Sequence, residues 1–204
     1  MIACGSADFI AVNTLAGRLE EARSDLAEWR RIRMRNGITD TLEDCGLAVN
    51  VAVLAGDFRG ALFILEQAVA MREDAGSRIY YSEVPAELAA VYLALDDHAT
   101  AAALVSESLE SIAGEWESIA AIEVAAAVAA GSERPAIAAK ILGFTDGQHR
   151  VKKHLRWPME RFAFDMLIAS LRENLTPEEI ERYGVEGAQL DLQQAADIAL
   201  SIVS

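Results

Sequence analysis

A chain of 204 residues can bury most of its apolar surface as one domain or one short solenoid, so size is no obstacle to independent folding. Its composition is 52% hydrophobic, rich in Ala and Leu, with four Pro and few β-branched runs, which favours helix over strand and predicts an all-α protein. The net charge of −14 repels nucleic acid and anionic lipid on average and argues against direct nucleic-acid binding, with one local exception in the basic stretch of residues 149–161, while the lack of eighteen uninterrupted apolar residues leaves no membrane span.

Apolar periodicity predicts helices near 6–16, 18–36, 40–55, 58–75, 80–95, 98–113, 115–130, 134–146, 158–173, 177–187 and 191–203, with no strand pattern. The first begins almost at Met1 with no basic leader, so no signal peptide is expected and the chain reads as a piece cut from a longer protein. Gly37 follows "RRIRMRN", where basic residues meet the negative end of a helix. "TPEE" makes Thr176 and Glu179 a capping box with Pro177 at the first helical position. Asp191 and Gln194 form a second box, with Leu190 placed as a staple toward Ala195. Cys4 and Cys45 have neither disulfide nor metal-site spacing, and a reducing, cytoplasmic setting is the simpler reading.

Four segments line up: "AGRLEEA" from Ala16, "AGDFRGA" from Ala55, "LDDHATA" from Leu95 and "AGSERPA" from Ala130. Their turn residues are Gly17, Gly56, Asp96 and Gly131, separated by 39, 40 and 35 residues, and a small residue follows each by five, at Ala22, Ala61, Ala101 and Ala136. The turn residue lets the chain reverse in the left-handed conformation, and the Ala lets the second helix approach the first. Each hairpin alone leaves an apolar face open, so neighbours must stack.

Gly56, Phe58, Ala61, Leu65 and Ala68 resemble the signature turn and second helix of a degenerate tetratricopeptide repeat, although Cys45 and Pro85 stand where such repeats carry Trp. Further on, Ala138, Ala139, Ile141, Leu142, Gly143 and Arg150, then Gly187, Leu190, Leu192, Ala195, Ala196, Ala199 and Leu200, are similar to the C-terminal ends of large bacterial regulators. In those proteins helical repeats accompany an ATPase core and a LuxR-type DNA-binding or nucleotide cyclase domain. The resemblance implies an α-α superhelix of about four TPR-like hairpins over 1–146, and a helical extension over 147–204 packed on the last hairpin as one continuous domain.

Chemistry-bearing patterns are thin. "GSERPAIAAK" has a Gly and Lys140 but lacks the second Gly and the hydroxyl of a phosphate loop, so it reads as a turn and helix start. His149 and His154 are five apart, off the spacing that puts two ligands on one helix face; with His98 they read as solvent-exposed turn histidines, and no metal is expected. No nucleophile elbow is present, and Glu20–Glu21, Asp96–Asp97 and Glu178–Glu179 sit at predicted helix starts, where the dipole accounts for them. No catalytic residue and no cofactor is expected.

The stretch "HRVKKHLRWPMER" gathers His149, Arg150, Lys152, Lys153, Arg156 and Arg161 around Trp157. Three uses compete: pairing with the chain's own acidic faces, including "LDD" near Asp96; docking an acidic partner or another domain of a parent chain; or touching nucleic acid. The inner face of the hairpins would present Ala11, Leu15, Asn50, Leu54, Ala90, Ala94, Ala125 and Ala129, a small apolar groove filled either by another helix, such as those of 177–203, or by an apolar ligand. The interaction candidates are therefore Asn50, Leu54, Arg150, Lys152, Lys153, Arg156 and Trp157. The expected role is a non-catalytic protein–protein or interdomain module of a bacterial transcription or signalling regulator, with a possible homodimer. A small-molecule effector sensor is the alternative.

Overall fold

The computed structural model describes residues 3–39, 41–74, 84–110, 115–130 and 134–203. They form helices α1 (Ala3–Leu15), α2 (Leu19–Arg35), α3 (Leu42–Leu54), α4 (Phe58–Asp74), α5 (Val84–Ala94), α6 (His98–Glu110), α7 (Glu115–Ala130), α8 (Pro135–Lys152), α9 (Pro158–Asn174), α10 (Pro177–Gly187) and α11 (Leu192–Val203). No strand occurs among the described residues, and the protein is all-α. None of these helices is long and apolar enough to cross a membrane.

By its internal contacts the chain divides into two compact units, residues 1–78 with 156–159, and residues 79–155 with 160–204. In the first unit α1 pairs with α2 and α3 with α4, while α3 packs on both helices of the preceding hairpin. Its core joins Ile10, Ala22, Leu26, Trp29, Ala48 and Val51. In the second unit α5 pairs with α6 and α7 with α8, and α7 again packs on both preceding helices. Hairpin partner and both helices of the preceding hairpin recur as neighbours in each unit, which is how stacked hairpins bury the face each leaves open.

Local sequence sets the reversals. After α1 and α3, Gly17 and Gly56 adopt φ of 70° and 71°, where a Cβ would crowd the following carbonyl. The residue after each closes a six-residue bond back into the helix, Arg18 N–H to Asn13 O and Asp57 N–H to Ala52 O, both 2.9 Å. Asp96 makes the same turn at φ 66°, with Asp97 N–H donating to Tyr92 O. Asp97 then caps α6, accepting from Thr100 N–H at 3.1 Å; that bond, with the Thr100 hydroxyl, holds its carboxyl below the usual carboxylate range. Because a side chain in the left-handed region is strained, Asp96→Gly should stabilise the chain by about 0.5–1 kcal/mol, seen as a raised denaturation midpoint.

Ala22, Ala61 and Ala101 are fully buried at the expected small positions. The fourth landmark departs from them. Ala136 is half-buried, the buried pair being Ala138 and Ala139, and Gly131 lies outside the described residues. Arg134 precedes Pro135 at the first position of α8, so this helix starts from proline rather than from the Gly-plus-Ala register.

The helix expected over 134–146 runs on to Lys152, so position 146 lies inside α8. Gly147 in a helix interior costs about 1 kcal/mol, but Phe144, Thr145 and His149 are buried on either side of it and hold the helix. Both expected capping boxes form: Thr176 with Glu179, and Asp191 with Gln194.

In the second unit α7 reads "EWESIAAIEVAAAVAA", apolar nearly all round, and is packed by α5, α6, α8 and α11. Alpha-helix α10 lies against α8 at backbone distance: a Cβ on Gly187 would sit 1.7 Å from Lys140 O, and one on Gly143 2.1 Å from Gly184 O. Ser170 Oγ donates to Ala130 O at 2.7 Å, and Arg134 Nη1 to Ser201 O at 2.9 Å, tying α9 and α11 to the ends of α7 and α8.

Candidate functional site

The sequence-predicted positions are divided between the units: Asn50, Leu54, Arg156 and Trp157 belong to the first, and Arg150, Lys152 and Lys153 to the second. Asn50 is buried, and both ends of its amide are engaged: Nδ2 donates to Gly46 O at 3.0 Å and Oδ1 accepts the Met159 N–H at 3.1 Å. Met159 is in the first turn of α9, so Asn50 serves as a cap supplied from distant sequence instead of lining an open groove. Asn50→Ala should lower stability by about 1–2 kcal/mol, measured by urea unfolding, the loss ordinary for a cap. Leu54 is half-buried on α3, and Arg156 and Trp157 are half-buried in the segment that belongs to the first unit.

The inner-face positions of the second unit are occupied. Ala90, Ala125 and Ala129 are buried, Ala94 is half-buried, and α11 packs on α7, the helix that carries two of them. In the first unit Ala11 is half-buried and Leu15 is exposed.

The basic stretch finds carboxylates, but not those near Asp96, whose Oδ1 faces His98 Nε2 at 3.2 Å. Arg150 bonds Asp146 one turn back, and Arg161 Nε bonds Asp165 at 3.0 Å, both pairs lying at the surface. His154 Nε2 is 3.1 Å from Glu160 Oε2. His149 is a core residue rather than the exposed turn histidine expected. It is 4% exposed, and its Nε2 is 3.2 Å from Oε2 of Glu123, itself 2% exposed on α7. The two histidine rings are 5.2 Å apart. His98, by contrast, is exposed as expected. Among the described residues no three His, Cys, Asp or Glu side chains converge as a metal site would require.

A second buried polar cluster lies in the first unit and was not read from sequence. The Asp44 carboxylate accepts Trp29 Nε1–H at 2.6 Å and both the backbone and hydroxyl donors of Thr41 at 2.6 Å. Arg33 Nη2 stands 3.0 Å away and its guanidinium lies 5.4 Å from the Trp29 ring centroid. Burial pushes the Asp44 carboxyl up, but the Thr41 and Trp29 hydrogen bonds and the Arg33 charge together hold it below the usual carboxylate range. Every partner is a neighbour within the hairpins, so the cluster ties α2 to α3 rather than facing a cleft.

What faces solvent is apolar in places. On α1, Phe9 is 63% exposed and continues through Val12 and Leu15 at three-residue spacing, one side of the helix, while Ile10 and Thr14 are buried on the other. Beside them an open groove between α1 and α2 is lined by Phe9, Asn13, Glu20, Glu21, Ser24 and Asp25. Asn13 Nδ2 donates to Asp25 Oδ2 at 2.7 Å, and Glu20 meets the exposed Arg23.

In the second unit, Val151 and Leu155, 80% and 70% exposed, flank the exposed Lys152 and Lys153 where α8 ends. Lys153 is left-handed at φ 52°, and His154 N–H returns to His149 O, which closes α8 in a left-handed turn. The sequence singled out the lysines but not the two aliphatic residues that flank them, and on the exposed α1 face it named Leu15 but neither Phe9 nor Val12. Comparison with protein families, with curated proteins and with solved structures gives no match for the chain.

Proposed function

We propose that this chain is a TPR-like helical-repeat module that binds protein, either a separate partner or neighbouring domains of a parent bacterial transcription or signalling regulator, in the cytoplasm and without catalysis of its own. The observation that carries this reading is the set of large apolar side chains held in solvent on rigid hairpins: Phe9 and Val12 on α1, Phe63 on α4, and Val151 and Leu155 at the end of α8. Side chains of this kind, desolvated on association and ringed by charge, supply most of the affinity of protein interfaces. The recurring turn and buried Ala of the first three landmarks support the repeat reading, and the Gly143 and Gly187 crossing supports the likeness to regulator tails, because the residues that carry the likeness are those that let α8 and α10 touch.

Site-specific photo-cross-linking in living cells tests it. A cross-linker at position 9 or 155 is expected to give discrete protein adducts, and one at exposed Glu181 on α10 is not. Equal adduct patterns at the three positions, or none at all, would contradict the proposal.

A further inference from the structure

The exposed tip of α8 and the α1–α2 face are complementary in both character and charge. The tip offers Val151 and Leu155 on either side of Lys152 and Lys153; the face offers Phe9, Val12 and Leu15 beside a groove lined by Glu20, Glu21 and Asp25. We infer that the basic, aliphatic tip of α8 in one copy of this chain docks on the acidic, aromatic α1–α2 face of a second copy.

The inference rests on the interaction-module reading and names one partner for it. The aliphatic residues supply burial, and lysine against carboxylate selects the orientation and disfavours like patches meeting. A chain with 32 acidic and 18 basic residues repels its own copies on average, so contact between copies is favoured where the basic tip meets a carboxylate-lined groove. A contact between two different patches is heterologous, and it extends to further copies unless the geometry closes it.

Two charge reversals, each made on the full chain, separate this from other associations. Glu21→Lys reverses the face and Lys153→Glu reverses the tip; both residues are exposed, so the fold should persist, which circular dichroism and thermal midpoint verify. Sedimentation velocity over a concentration series is expected to show the unaltered chain growing beyond one copy. Each reversed variant alone should associate about tenfold or more weakly. Mixing the two variants should restore association, because each then presents the tip or face that the other's reversal requires. Phe9→Ser should weaken association in every combination. A single-copy mass at all concentrations, association untouched by either reversal, or no recovery on mixing would each overturn the inference. If it is overturned while cross-linking at position 9 still gives adducts with another protein, the module reading stands and only the self-docking falls.

Discussion

Gly187→Ala is expected to lower the stability of the second unit by about 3 kcal/mol or more, the upper end of what overpacking a core produces. The added Cβ would meet Lys140 O at 1.7 Å, and Gly143→Ala, meeting Gly184 O at 2.1 Å, should behave alike. Neither obstacle is a flexible side-chain end that can swing away; each is a helix backbone atom, so α8 and α10 must separate along the crossing. The Lys140–Glu186 ion pair at 2.7 Å spans the same helices but is partly exposed and contributes little. Gly184→Ala provides the contrast, since its Cβ would meet nothing within 4 Å. Replacing that helical glycine should leave stability unchanged or raise it by up to about 1 kcal/mol. Guanidinium unfolding followed by circular dichroism separates the two outcomes, and equal effects from Gly184 and Gly187 would refute the close crossing.

Asp44→Ala should destabilise the first unit by about 3–5 kcal/mol, the loss typical of removing one partner from a buried charged cluster. The substitution strands the Trp29 Nε1–H and leaves Arg33 without its carboxylate, besides removing the Asp44 half of the Thr41–Asp44 capping box of α3. Acidification should reveal the same group. Its folded pKa is depressed, so its contribution is complete above the ordinary carboxylate value, near pH 4, and is lost as pH falls through the lower folded value. The unaltered chain should therefore lose more stability than Asp44→Asn as pH is lowered below about 4. Thermal unfolding at a series of pH values measures the difference, and parallel curves for the two proteins would refute it.

The fold was legible where the forces are local. The Thr176–Glu179 and Asp191–Gln194 boxes, Pro177 and the left-handed turns at Gly17, Gly56 and Asp96 each depend on residues within a few positions, and each forms as its sequence requires. Thr41 and Asp44 make a box of the same kind, passed over because Asp replaces the usual Glu or Gln three residues on. The end of α8 was misplaced because the side chains that keep it helical past Gly147 gain their burial only from tertiary packing.

The candidate site was legible only in part, for the same physical reason. His149 meets Glu123 across 26 residues and Asn50 meets Met159 across 109, separations that no helical period encodes. A histidine in a basic stretch therefore read as exposed, and an amide on an inner face read as a contact to a ligand. Lys152 and Lys153 stood out by charge, but Val151, Leu155 and Phe9 look in sequence like any other core residue. Only their exposure distinguishes them.

Alanine five residues after a left-handed turn is the feature on which the stacking of these hairpins depends. Leucine placed singly at positions 22, 61, 101 and 136, with each variant's denaturation midpoint compared with that of the unaltered chain, measures it directly. Ala22→Leu, Ala61→Leu and Ala101→Leu should each lose about 1–3 kcal/mol, because these sites are fully buried, whereas Ala136→Leu, at a half-buried site, should lose well under 1 kcal/mol. Four similar losses, or tolerance at all three buried positions, would contradict the stacked-hairpin account.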